Sequence, residues 1–342
     1  MPISNPTGEI GSDSLFLSEP SPHDNLVPKS KSRIYLTDVS LGDKPWDVHK
    51  RTAEIVSRLY SSLGYDRYAD RIQECSKWLE FALTAAETGE CSFKLFSARF
   101  CRCRHCPVCQ WRRSLMWRAR ILKVMPSVLQ DYPTARYIHL TLTIRNSPVT
   151  ELRETIKLMN SAWSKLTRRK NFPAIGFVKS LEVTKEQKRD GYAHPHFHCF
   201  LMVRSSYFST GYLSKDKWIE LWQDCLKVDY KPSISIDVVK PRQGADIGEI
   251  EGLVWAVCET LKYTVKEQDL VADSEWLGEV TRQLHKLRAV SVGGVLKDYL
   301  SEDDPEDLIH GDVESDEGLE SATKLIFDWA TEIKRYATRN TR

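Results

Sequence analysis

The 342-residue sequence predicts an α+β fold: a central antiparallel β-sheet with helices packed on one face, preceded by a helical region that carries a cysteine knuckle. Three observations lead there. Apolar residues alternate at period two in the stretches 135–146, 174–186 and 194–203, the pattern of half-buried strands. Asp190-Gly191 sits between the last two, and this dipeptide turns a hairpin, which makes that pair antiparallel. Five of the nine cysteines fall between residues 91 and 109, as a metal knuckle would place them.

The elements follow in order. Residues 1–40 are polar and punctuated by five prolines, so they are expected to be a disordered arm. From Asp47 to Leu83 apolar residues recur at helical spacing, which predicts two helices, the second running through Trp78, Leu79 and Ala82. The knuckle occupies 91–109. Trp111 to Met125 reads as a basic helix that Pro126 should end or kink. Beyond it come a strand (135–146), a helix (151–169), the hairpin strands 174–186 and 194–203, a helix (215–228), a strand (233–240) and a helix from about Glu249 to Lys266. Residues 270–300 look helical, 301–320 look like an acidic linker, and 321–338 read as a final amphipathic helix. The expected division is an arm (1–40), a helical and zinc-knuckle region (45–130), a sheet domain (131–270) and a C-terminal helical region (271–342).

Composition bounds the function. Hydrophobic residues are 41% and charged residues 28%, so the chain can bury a sizeable core. No window approaches the ~18 uncharged apolar residues of a membrane span, and the start is not a basic-then-apolar leader, so a cytoplasmic protein without a membrane partner is expected. The net charge of +2 conceals an asymmetry: residues 301–320 hold ten acids and no Lys or Arg, leaving +12 on the rest. Residues 101–180 hold sixteen Lys or Arg against three acids, interleaved with Trp111, Trp117, Tyr132, Tyr137 and Trp163. Basic charge among aromatics suits a polyphosphate with stackable bases.

Three constellations carry chemistry. In a strand, alternate side chains share a face, so His194, His196 and His198 project together. A hairpin centred near residue 189 sets Glu182 opposite His196, and two imidazoles with one carboxylate suit Mg or Mn acting on a phosphate. On the helix near 249–266, Glu259, Tyr263 and Lys266 at i, i+4 and i+7 share a solvent-facing stripe, which could hold a base, a nucleophile and a cation. Cys106-Pro-Val-Cys109 has the spacing of a structural zinc site. Cys91, Cys101 and Cys103 are the candidates for the other two ligands, with Cys91, Cys101, Cys106 and Cys109 the first choice. Cys75, Cys199, Cys225 and Cys258 sit in apolar patterns and read as core.

In combination, CRHCPVCQWRR (103–113), LTLT (140–143), HPHFHCF (194–200) and ETLKYTVK (259–266) resemble the plasmid rolling-circle replication initiators of the HUH endonuclease superfamily, in the class with one tyrosine and a helper glutamate. The resemblance spans about residues 90–270 and implies the HUH, ferredoxin-like palm. It further implies a divalent ion on His196 and His198 with Glu182 as third ligand and His194 as alternative, Tyr263 as nicking nucleophile, and Glu259 as activator of water at termination. Lys266 matches a lysine often found three residues after the tyrosine. Cys103 is a thiol beyond the family's Cys-x4-Cys-x2-Cys pattern. The expected activity is metal-dependent, strand-specific nicking of plasmid origin DNA, single-stranded or in a hairpin, through a 5′-phosphotyrosine. Arg112, Arg113, Arg118 and Arg120 of the basic helix would contact phosphates. No phosphate loop of the Walker type occurs in the sequence, so a host helicase and polymerase would serve as partners. A transposase or relaxase of the same superfamily and a non-catalytic zinc-dependent DNA-binding regulator are the other readings.

Overall fold

The computed structural model describes residues 33–85, 91–239, 248–261, 264–300, 306–309 and 322–339. The arm expected over 1–40 lies mostly outside them, as does most of the acidic stretch 301–320.

The N-terminal unit opens with α1 (Leu36–Val39), α2 (Lys44–Ser62) and α3 (Asp66–Glu74), followed by β1 (Trp78–Ala85) and β2 (Cys91–Ala98). α4 (Pro107–Asp131) then leads into β3 (Arg136–Thr143), the short β4 (Ser147–Pro148), α5 (Leu152–Thr167), β5 (Ala174–Lys185), β6 (Tyr192–Val203), α6 (Lys215–Leu226) and β7 (Ile234–Val238). α7 (Gly248–Thr260), α8 (Glu267–Ala272), α9 (Ser274–Gln283), β8 (Val290–Gly294), α10 (Leu296–Tyr299), β9 (Lys324–Ala330) and β10 (Arg335–Thr338) complete the described elements.

The main sheet has the order β7-β3-β6-β5-β8 with β4 paired to the start of β6, and every pairing is antiparallel. Gly191, at φ +71°, closes the β5–β6 hairpin, and the register sets Glu182 against His196. Helices cover both faces rather than the one face expected. On one side Ile156, Met159, Trp163, Trp218 and Trp222 of α5 and α6 bury Leu140, Leu181, Phe197, Cys199 and Leu201. On the other, Ile121, Met125 and Val128 of α4 and Leu253, Ala256 and Val257 of α7 bury Tyr137, Val178, Phe200 and Met202. The physical reason lies in β6: its even positions turn from histidine to Phe200 and Met202, and those apolar side chains need a second cover.

Several expected helices are strands. Trp78, Leu79 and Ala82 lie in β1, where Leu79 and Phe81 are buried at period two, and 321–338 folds as the β9–β10 hairpin against it. The resulting sheet, β10-β9-β1-β2, makes the N-terminal unit mixed rather than helical. Short apolar runs fit either period, and the ladder partner, which for Leu79 is Phe327, decides. Likewise Val290–Gly294, expected helical, is β8 and joins the main sheet beyond residue 270. Gly294 at φ +60° packs on the backbone of Ile175, a place where no side chain fits. α4 passes through Pro126 without ending; Met125 and Val128, buried on either side of it, hold the last turns in place.

Candidate metal centres

The first centre is built from two adjacent strands. Because β5 and β6 pair directly, Glu182 and His196 face each other, and His198 is one step along the same face. Both imidazole Nε2 atoms lie 2.7 Å from Glu182 Oε2. The far nitrogens are held too: His196 Nδ1 is 3.3 Å from the His194 carbonyl, and His198 Nδ1 is 3.4 Å from Thr141 Oγ1 of β3. Such outer contacts fix the rings so that Nε2 points inward. All three residues are buried. Burial pushes the Glu182 carboxyl up, but hydrogen bonds from His196 and His198 and their charge outweigh it and hold it well below the usual carboxylate range. The ligand atoms lie within 4.8 Å of one another, so one divalent ion can touch all three while its other positions stay open. His194, the alternative ligand, stands outside this group; its Nδ1 is 2.5 Å from Asn146 Oδ1, and its ring lies beside that of His196. Burial and the neighbouring His196 charge lower its pKa.

The second centre is closed. Cys101 lies in the loop after β2, Cys106 caps the N-terminus of α4 and Cys109 lies in its first turn, but the fourth thiol is Cys75 at the end of α3. The sulfurs of Cys75 and Cys109 and those of Cys101 and Cys109 are 3.6 Å apart, and Cys75 to Cys106 is 3.7 Å. A tetrahedral ion with bonds of about 2.3 Å to sulfur requires edges of roughly 3.8 Å, so the donor set fits zinc. Amide donors stabilise the sulfurs: Cys101 N bonds Cys75 Sγ and Cys103 N bonds Cys101 Sγ, both at 3.4 Å. The buried Lys50 ammonium donates to the carbonyls of Gln73 and Cys75, setting a cation beside the thiolates.

The four-thiol group thus joins Cys75, which the sequence places in the core, to Cys101, Cys106 and Cys109 of the expected set. Cys91 begins β2 opposite Ala85, and the amide of the buried Cys103 bonds Cys101 Sγ. Cys75 was hidden because it lies 26 residues before Cys101, in an apolar context. In the structure it lies between the end of α3 and the start of β1, where Ser76 adopts φ +49°.

The arginines of α4 are mostly committed within the protein. Arg112 is 5% exposed; its Nε and Nη2 bond the carbonyls of Leu308 and Ile309, and it lies over Trp46. Arg113 pairs with Glu306 and with the carbonyls of Cys103 and Arg102. Arg118 reaches the Cys258 carbonyl, and Arg120 lies over Trp117. The Arg112 guanidinium ties the knuckle helix to Leu308 and Ile309, and that of Arg113 pairs with Glu306.

Glu259 is half-buried in the last turn of α7, and Lys266 is exposed just before α8; Tyr263 lies outside the described residues. The stripe expected on one continuous helix is broken, since α7 ends at Thr260. Side chains take the carbonyls that would have continued it. Ser180 Oγ bonds Thr260 O, Ser114 Oγ bonds Leu261 O at 2.5 Å, and Val265 N turns to Gln110 Oε1 at 3.3 Å. Thr264 O then accepts from Val183 N at 2.7 Å, and Val265 bridges Val183 in parallel. The residues on both sides of the tyrosine are thus fixed to the β5 edge next to Glu182.

A two-histidine, one-glutamate group on an antiparallel sheet and a separate four-cysteine group define an α+β protein with two donor sets that could each hold a metal ion. The sequence profile of the replication protein family matches residues 92–337, and the chain belongs to that family. "Protein rep" of Streptococcus pneumoniae serotype 2 (strain D39 / NCTC 7466) is 33% identical over 312 residues, 87% of this chain and 93% of its own. "Protein rep" of Bacillus amyloliquefaciens is 32% identical over 321 residues, 86% of this chain and 93% of its own. A "Replication protein" of Staphylococcus aureus is 31% identical over 229 residues, 63% of this chain and 95% of its own. No solved structure matches. Among the described residues no helix is long and apolar enough to cross a membrane.

Proposed function

We propose that this replication protein initiates rolling-circle replication of a plasmid by nicking one strand of its origin, with Tyr263 as nucleophile. The observation that carries the reading is the convergence of His196 and His198 on Glu182, with the neighbours of Tyr263 anchored one residue away on the same strand. Glu182, His196 and His198 would hold a Mg or Mn ion, which when bound polarises the scissile phosphate. Thr141 and the His194 carbonyl keep the two Nε2 atoms aimed inward, so the ligands need no reorganisation. The Tyr263 oxygen attacks phosphorus in line, the P–O3′ bond breaks, and the products are a 5′-phosphotyrosine and a free 3′-hydroxyl. That hydroxyl primes a host polymerase behind a host helicase. Because the phosphotyrosine keeps a phosphodiester, rejoining needs no nucleotide cofactor. At termination Glu259 accepts a proton from water for the second cut, and Lys266 balances anionic charge near the tyrosine. The four cysteines hold a zinc that folds the N-terminal unit.

The test is incubation of the purified protein with labelled single strands tiling its plasmid, with Mn or without divalent ion, followed by denaturing electrophoresis and peptide mapping. A metal-dependent adduct on Tyr263, absent in Tyr263→Phe, is the expected result. Failure of any fragment to form an adduct with folded, zinc-bound protein would leave a non-catalytic DNA-binding regulator as the reading.

A further inference from the structure

A cleft of about 490 Å³ with a basic wall lies between the cysteine knuckle, the N-terminal half of α4 and the loop after α9. We propose that this cleft binds the phosphodiester backbone of a single DNA strand and delivers it to the Glu182 centre, with the Glu306 carboxylate occupying one phosphate position until DNA displaces it. The inference rests on the nicking reading and adds the path of the substrate.

Charge comes first. Arg102, Lys286 and Arg288 are exposed on the rim, and Arg113 lies inside. Against these four cations the described wall contributes one carboxylate, Glu306, which pairs with Arg113 while its carbonyl accepts from Arg102 at 3.3 Å. Glu306 belongs by sequence to the stretch 301–320 with its ten acids, and its own carboxylate meets this wall.

Polarity inside the wall is the second observation. His105 is 2% exposed and neither ring nitrogen has a hydrogen-bond partner among the described residues; Gln110, 5% exposed, leaves Nε2 in the same condition. Buried polar atoms are almost always satisfied, so this wall is built for a polar occupant. Half-buried Tyr68 and Trp117 add faces on which bases can stack.

Position is the third. The floor consists of Leu261, Thr264, Ala289 and Val290. Thr264 and Ala289 bond the amides of Val183 and Leu181, and Val290 pairs with Ser180. These partners flank Glu182 on β5. A strand lying in the cleft therefore runs beside the chain neighbours of Tyr263 toward the metal ligands.

The experiment measures binding of a fluorescent oligo-dT to the full-length protein by anisotropy, without added divalent ion and across a salt series. Lys286→Gln/Arg288→Gln should weaken binding and reduce the slope of log affinity against log salt by about 1.4, roughly 0.7 for each single-strand phosphate that the two cations no longer neutralise. Glu306→Gln should tighten binding several-fold, as expected when a competing carboxylate is neutralised. Unchanged affinity and slope in the double variant, with native circular dichroism and zinc content, would overturn the proposal. So would displacement of the oligonucleotide by dTMP at equal phosphate concentration, which would mark a mononucleotide site. Because no chemistry is read, cleft-dependent binding by a protein that never nicks would sink the nicking reading and leave this one standing.

Discussion

The two metal-type centres lie in one chain and differ in every physical respect that matters to their use. The four cysteines are buried, all-sulfur and mutually about 3.6–3.7 Å apart where bonded, so an ion among them has no vacant position. The Glu182, His196 and His198 centre offers three donors from one sheet face, beside the point where apolar cover by α4 and α7 ends. A closed set contributes folding energy, and an open one leaves room for a substrate oxygen.

The comparison can be broken most severely at the cysteines. Cys106→Ala should abolish zinc binding and unfold the N-terminal unit, since structural zinc contributes on the order of 10 kcal/mol. Cys75→Ser should do the same and Cys91→Ser should not; metal analysis and thermal melts separate the two. If Cys91→Ser released zinc and Cys75→Ser kept it, Cys75 would not be the fourth ligand. Next in size, His196→Ala/His198→Ala should leave melting and zinc nearly unchanged while lowering metal-dependent nicking by a factor of about 100 or more. A collapse of the fold in that variant would erase the distinction between the centres.

A mid-sized effect concerns pH. Glu182 has its folded pKa depressed, so its contribution to stability is full above the ordinary carboxylate value and is lost as pH falls below it. In protein without divalent ion, Glu182→Gln should therefore flatten the acid limb of a stability curve.

The smallest expected effect sits on the other face of the same strand. Lys179 is buried under α5, bonded to Asn160 Oδ1 at 2.7 Å and over the Phe197 ring at 3.8 Å, and burial pushes its ammonium down to about 8. Its folded pKa lies below the unfolded value, so stability should rise with pH from about 8 toward 10.5 as the native ammonium deprotonates first. Lys179→Met should remove that rise and stabilise the protein at neutral pH by about 1–2 kcal/mol, read from denaturant midpoints.

The hairpin chemistry was legible because it is local. Asp190-Gly191 sets the turn, the turn sets the register, and the register sets Glu182 opposite His196 before any distant contact forms. The order of strands and helices from 135 to 238 is legible for the same reason: each carries its own period. The stripe of Glu259, Tyr263 and Lys266 was misread as one helix because Ser180, Ser114 and Gln110, all distant in sequence, take the hydrogen bonds that would extend it. The burial of Arg112 was equally hidden, since it depends on residues 308 and 309 arriving from far down the chain.

By itself the sequence determined the period of the elements from 135 to 238, the hairpin register and the presence of two donor sets that could hold a metal, since spacing along one chain fixes which side chains share a face. Only the tertiary structure decided that Cys75 completes the thiolate cluster, that β8, β9 and β10 are strands, and that residues 264 and 265 lie along β5. Those outcomes depend on partners for sulfur and for backbone amides that lie tens to hundreds of residues away, and local periodicity holds no information about them.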